Sequence, residues 1–266
     1  TKSLNMKKLI ALIVMFSSFA NAQVYEILLE TKNHPEYTPE FLEKMYGNIK
    51  DPEVRKWNID QNTNTKPIEF RIYSSKTELN TIEQEKIDNQ QGNQGEVKNS
   101  VPGFSFGLTY SNFTNGENYR KVDLNGKKYI IKTPLEELDW KYTDETKEIL
   151  GYKVYKVTSK FGKFDVEAWF TKEIDFNFMP IRVKPIEGFV LEMNIFLEAE
   201  NVGKVNNYIK VLTINKNAKK YKFKNPMTET SKKDNVVTPQ EYLKIEEEVN
   251  NKRNDLYNQS NGVDKK

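Results

Sequence analysis

Asp165 and Glu167 stand two residues apart in the run 163–171, where apolar residues alternate with polar ones. On a strand that spacing puts both carboxylates on one face. Glu192 and Glu198 lie in a second strand-like run, 188–199. Carboxylates gathered across strands can do two kinds of chemistry. A suitably spaced pair can act as acid and base, or as acid and nucleophile, on a glycan. A ring of oxygens can hold calcium. Asp165, Glu167 and Glu192 are the weak catalytic candidates. With 38 Asp and Glu in 266 residues, some acids cluster by chance, so a solvated charged face is preferred and no catalytic residue is assigned. Trp169 and Thr171 fall on the same polar side. An indole among polar groups can stack on a sugar or hold an apolar ligand, which makes both ligand-binding candidates. The competing reading is a core Trp beneath helices.

Other chemistries are depleted. The chain has no Cys, so it has no thiol nucleophile, no thiolate metal site and no disulfide. Its one histidine, His34, has no second His or Cys to pair with and reads as a surface-loop residue. No metal site and no cofactor is expected. The glycine pattern of nucleotide-binding loops is missing.

The elements that must position these residues are mostly strands. Val24 to Leu29 reads as a first strand. Thr38 and Pro39 open a helix carrying Phe41, Leu42, Met45 and Ile49, which ends between Gly47 and Pro52. Ile68, Phe70 and Ile72 alternate with Glu69, Arg71 and Tyr73. Asn80 to Asn99 is polar and reads as a loop. Asn125-Gly126 between two alternating runs predicts a hairpin. Phe161-Gly162 predicts a second, between 151–160 and 163–171. Residues 188–199 and 207–215 make a further pair. Lys219 to Lys224 alternates like an exposed, lysine-guarded edge strand. Gly188 reads as the backbone solution to a bend or bulge. Thr238, Pro239 and Glu241 form a capping box that opens a terminal helix with Tyr242, Ile245, Val249 and Leu256 on one stripe. A polar tail follows from residue 258.

Residues 1–22 have the form of a cleaved secretory signal. Lys7 and Lys8 precede the apolar run 9–20, which is too short to span a bilayer, and Ala20-Asn21-Ala22 is a small-x-small site. Loss of Lys2, Lys7 and Lys8 brings the 41 basic residues level with the 38 acidic ones. A neutral mature chain gives no reason to expect nucleic acid as a partner. No later segment is apolar enough to cross a membrane. The expected location is periplasmic or outer-membrane associated.

The run Leu138 to Leu191 resembles the GLPGLI family, exported Bacteroidetes proteins of unassigned function. The matching positions are Trp140, Glu145-Thr146-Lys147, Gly151-Tyr152, Ala168-Trp169-Phe170-Thr171, and Gly188 followed by Glu192 in an eroded form of the namesake motif. Val154 replaces the family's usual cysteine, and Asp175 its usual proline. The resemblance implies an exported β-rich protein with little stated activity. A looser similarity is to the bowl-like accessory domain that precedes some secreted glycan-cleaving amidases, and it implies a concave sheet.

The expected fold is mainly β with flanking helices: one domain over 23–257, as a curved antiparallel sheet or open half-barrel with a C-terminal helix. The leading functional expectation is a non-catalytic envelope module that binds an outer-membrane protein, peptide or glycan. The alternative is a carboxylate-dependent hydrolase acting on glycan or peptide.

Overall fold

A computed structural model describes residues 23–83, 101–104, 107–216, 218, 220–228 and 235–263. The signal-like segment 1–22 and residues 84–99 of the polar stretch 80–99 lie outside the described residues.

Three short apolar-polar periods at the start build β1 (Tyr25–Tyr37), longer than Val24 to Leu29 alone suggests. His34 sits within this strand, exposed, with Glu36 3.9 Å away. Two helices follow. In α1 (Pro39–Tyr46), Thr38 Oγ1 accepts from Phe41 N at 3.2 Å and Pro39 occupies the first turn, as the sequence predicts. The second, α2 (Pro52–Thr63), is a correction: Pro52 opens a helix rather than closing one. Asp51 Oδ1 accepts from Glu53 N at 2.9 Å and from Val54 N at 3.3 Å, so Asp51-Pro52 is an N-cap with proline at the first position.

Ten further strands form the body: β2 (Ile68–Ser74), β3 (Glu78–Glu83), β4 (Thr109–Asn112), β5 (Glu117–Leu124), β6 (Lys127–Pro134), β7 (Lys141–Ile149), β8 (Tyr152–Phe161), β9 (Phe164–Thr171), β10 (Phe189–Ala199) and β11 (Gly203–Asn215). With β12 (Asn235–Val237) they make one twelve-stranded sheet in the order β12-β6-β5-β4-β3-β2-β1-β11-β10-β9-β8-β7. All neighbours are antiparallel except β12, which runs parallel to β6. The fold is therefore mainly β, one open sheet with flanking helices, as expected. β1 is the seam. It pairs with β2 on one side and with β11, from the far end of the chain, on the other.

Turn chemistry sets the register. Asn125 (φ 53°) and Gly126 (φ 79°) close the β5–β6 hairpin, in the two-residue turn that needs positive φ at both positions. Leu150 (φ 52°) and Gly151 (φ 78°) do the same between β7 and β8.

The core lies against one face of the sheet. Ile27, Leu29, Phe70, Ile72, Val157, Val166, Ala168 and Met193 are all buried there. The irregular segment 174–186 covers this face. It contributes Ile174, Phe176, Phe178, Met179, Ile181, Val183 and Ile186, and Phe176 stacks on Tyr25 at 4.5 Å. Gly188 ends the segment at φ +152°. A Cβ there would lie 2.5 Å from the Phe170 ring and 2.9 Å from Thr171 O, so the backbone reading of this glycine holds.

Three further expectations change. Asn80 to Glu83 belong to β3 rather than to a loop, and Asn80 is wholly buried. Lys220 to Lys224 is not an edge strand but a covering strap across β2 to β6. Tyr221 stacks on Tyr73 at 3.6 Å, and Phe223 packs on Tyr110, Tyr119 and Ile130. The terminal helix, α3 (Pro239–Val263), runs through residues 258–263, where a polar tail was expected. Its capping box is formed: Thr238 N donates to Glu241 Oε2 at 2.8 Å and Glu241 N to Thr238 Oγ1 at 3.3 Å. Thr238 N and Thr238 Oγ1, which donates to Glu241 Oε2 at 2.9 Å, hold the Glu241 carboxyl below its usual pKa. Tyr242 and Ile245 seat α3 on Tyr129 and Ile131 of β6.

Candidate functional site

Strand alternation puts Val166, Ala168 and Phe170 into the core and Asp165, Glu167 and Trp169 on the opposite face. Register then decides which candidates meet. Trp169 is level with Lys156 of β8 and with Glu192 of β10, and Glu167 is level with Thr158 and Asn194. Glu167 and Glu192 are thus diagonal neighbours on one face, about 7–8 Å apart at Cα. Asp165 lies four residues from Trp169 along the strand, roughly 13 Å away, and pairs with Lys160 at 2.8 Å. Glu198 sits six residues from Glu192, about 20 Å along β10. The structure therefore brings Glu167, Glu192 and Trp169 together and leaves Asp165 and Glu198 apart.

Two lysines, which the sequence reading did not single out as site residues, complete the group. Lys147 Nζ lies 2.8 Å from Glu192 Oε1 and 4.3 Å from the centroid of the Trp169 ring. Lys156 Nζ lies 3.4 Å from Glu167 Oε1, 3.1 Å from Glu145 Oε1 and 5.9 Å from the same ring. Burial alone would pull the Lys156 ammonium down. Its contacts with Glu145 and Glu167 outweigh that, and its pKa stands above the usual lysine value. The outcome is a half-buried indole bracketed by two ammoniums, with three carboxylates around them. Cation–π attraction holds Lys147 over the ring. A sugar stacking on that side has to displace it. Lys156 stands in the run 151–160 that pairs with the Trp169 strand, whereas Lys147 lies on β7, one strand further out, which the sequence did not reveal as a strand. Pairing order was needed to place them.

Thr171 does not share this platform. Its side chain is wholly buried, and its Oγ1 accepts from Glu173 N at 3.1 Å. The hydroxyl closes the turn after β9, and Thr171 is withdrawn as a ligand-binding residue. Trp140 and Tyr152 pack partly buried against the core, Tyr152 beside the Leu150-Gly151 turn and Trp140 at the other end of the β7–β8 hairpin. Among the described residues no three His, Cys, Asp or Glu gather as a metal site. No helix among them is long and apolar enough to cross a membrane.

Residues 54–238, more than half of the chain, match the model of the family described as N-glycanase peptide, N-terminal domain. The chain belongs to this family. The assignment overturns the leading expectation of a non-catalytic envelope module and favours the hydrolase alternative. No curated protein matches the chain. Two solved structures of PNGF-II are similar to it. The one in the C2 space group has TM-score 0.48 and 17% identity, covering 84% of this chain and 32% of that one. The one in the P21 space group has TM-score 0.47 and 18% identity, covering 84% and 33%. The chain spans about a third of the length of these structures.

Proposed function

We propose that this chain serves a hydrolase that acts on peptide-borne glycans, with the outer face of β7 to β10 as the surface that meets the sugar. The observation that carries this reading is the match of residues 54–238 to an N-glycanase domain. The site geometry supports it. Trp169 offers an amphipathic ring, and Glu167 and Glu192 are spaced diagonally beside it, with room between them for a water or a glycosidic atom. In this scheme one of the two groups, as the protonated carboxylic acid, gives its proton to the leaving group, and the other, as the carboxylate, takes a proton from the attacking water. Lys147 pairs with Glu192 and Lys156 with Glu167 until substrate displaces the lysines. Export by the 1–22 segment is part of the same proposal, because peptide-borne glycans are met outside the cytoplasm.

The test is glycan release from a glycopeptide by the intact polypeptide that carries this chain, read by mass spectrometry. The expected result is release that falls about 10²-fold or more in E192Q or E167Q and about tenfold in W169A. Absence of release by the unmutated protein overturns the hydrolase reading. Unchanged release in both carboxamide variants overturns the assignment of these acids.

A further inference from the structure

Lys147 reaches further than its own surroundings require. It stands on β7, the edge strand, level with Val154 of β8. Its ammonium nevertheless crosses β8, sits 4.3 Å from the centroid of the Trp169 ring on β9 and ends 2.8 Å from Glu192 Oε1 on β10. A lysine on an edge strand keeps most of its rotamer freedom in water, and fixing it across the neighbouring strands costs that freedom. The ring and the carboxylate together therefore attract an ammonium strongly enough to hold one. Their arrangement is that of a cation site, an indole face with a carboxylate oxygen beside it.

Charge around the ring favours a cation as well. Glu145, Glu167 and Glu192 face Lys147 and Lys156, with Lys156 held between Glu145 at 3.1 Å and Glu167 at 3.4 Å. Lys210 of β11 is level with Glu192, and Glu30 of β1 is level with Lys210, so these two add one charge of each sign. With Lys147 swung away, three carboxylates stand against the single ammonium of Lys156. A neutral ligand on the ring would leave Glu192 unpaired, and an anionic one would be repelled by it. A ligand that brings its own ammonium restores both contacts that it breaks. The side chains of Lys147 and Glu192 are 36% and 31% exposed, so the exchange needs no opening of the fold.

We propose that Trp169 and Glu192 form an ammonium-binding site, that Lys147 fills it as a tethered stand-in, and that the ligand it yields to carries a free primary amine, as an amino sugar does. The sugar ring stacks on the indole while its ammonium takes the place of Lys147 Nζ beside Glu192. This deepens the reading of the β7 to β10 face as the surface that meets the sugar, and it rests on that reading for the choice of a sugar. It requires no bond cleavage. As a tethered competitor, Lys147 weakens the affinity for any free amine, and its removal strengthens that affinity.

The test is titration of the intact chain, with Trp57 and Trp140 changed to Phe so that Trp169 alone reports, at about pH 6, where amines carry their proton. The probes are glucosamine hydrochloride, N-acetylglucosamine and Nα-acetyl-lysine amide, with sodium chloride holding the ionic strength constant. The expected result is a saturable change in Trp169 emission with glucosamine and none with N-acetylglucosamine at equal concentration, because only the first carries a charged nitrogen. K147A should lower the Kd for glucosamine about tenfold, and E192Q should raise it about tenfold. Tighter binding of glucosamine than of the lysine amide supports an amino sugar, and the reverse order keeps the ammonium site and overturns the sugar. Calorimetry of the unsubstituted chain with glucosamine gives the same answer if the Phe background does not fold. No saturable response to glucosamine with or without K147A, or an equal response to N-acetylglucosamine, overturns the site. An unchanged Kd in K147A overturns the stand-in role of Lys147. Glycan release without ammonium binding overturns the ammonium site alone, and ammonium binding without release overturns the hydrolase reading alone.

Discussion

Lys147 holds its ammonium 4.3 Å above the ring centroid of Trp169 while its Nζ stays 2.8 Å from Glu192. One side chain thus masks the indole and neutralises the carboxylate beside it. The pair is half exposed, so its worth to folding is small, about 0.5–1 kcal/mol. Its worth to ligand access is larger. In a background with Trp57 and Trp140 changed to Phe, K147A should leave Tm within about 3 °C of that background. It should also raise acrylamide quenching of the Trp169 emission roughly twofold. Unchanged quenching would mean that Lys147 does not cover the ring.

Gly188 is fixed by space as well as by φ. Its φ of +152° is uncommon for a side-chain-bearing residue, and the new Cβ would meet the Phe170 ring at 2.5 Å. Both the covering segment and the start of β10 hang on this position, because Phe178 N donates to Gly188 O at 3.0 Å and Val190 N to Phe178 O at 3.1 Å. G188A should lower stability by roughly 3 kcal/mol. That corresponds to a fall in Tm of about 6–12 °C for a domain of this size, measured by calorimetry. A loss below about 1 kcal/mol would show that the segment shifts freely.

The hairpins were legible because their turns carry their own chemistry: Asn125-Gly126 and Gly162 impose φ values that few other residues accept. The capped helices α1 and α3 are legible for the same reason, whereas Asp51-Pro52 reads equally as the stop of one helix and as the cap of the next, which hides α2. The covering elements were not legible. Residues 174–186 have neither period, since an irregular segment buries residues wherever its path touches the sheet, and the alternation of Lys with Tyr221 and Phe223 in the strap reads as a strand although the segment pairs with none. At the site, alternation put Glu167 and Trp169 on one face. Pairing register, which local sequence does not specify, was needed to place Glu192, Lys147 and Lys156 beside them and to send Asp165 away.

The strap rests on one buried amide. Asn80 Nδ2 donates to Thr109 O at 2.9 Å and to Lys224 O at 3.0 Å. Its Oδ1 accepts from Lys224 N at 2.8 Å and from Tyr221 Oη at 3.0 Å. Removing it takes a hydrogen bond from each of four partners, only one of these bonds being fully buried. N80A should lower stability by about 2–4 kcal/mol. It should also speed hydrogen exchange in residues 220–228 before it speeds exchange in β10. Equal acceleration everywhere would mean that the strap is not a separable unit.

Two phenols, the buried Tyr110 and the half-buried Tyr221, should set the alkaline limit. Burial, then the 2.6 Å bond from Tyr110 Oη to Glu78 Oε1, push the Tyr110 pKa up to about 12. Burial and the stacked Tyr73 push Tyr221 up to about 12. A phenol whose folded pKa is raised binds its proton more tightly in the folded state. Its contribution is fully present below pH 10 and is lost as pH rises through 12. For Tyr110, almost wholly buried, that is about 2–3 kcal/mol. Urea unfolding free energies should therefore be flat with respect to this group up to about pH 9.5 and fall steeply between pH 10 and 12. Y110F should flatten that fall by about one proton, while leaving the slope at neutral pH unchanged. An identical alkaline slope in Y110F would assign the limit to other groups.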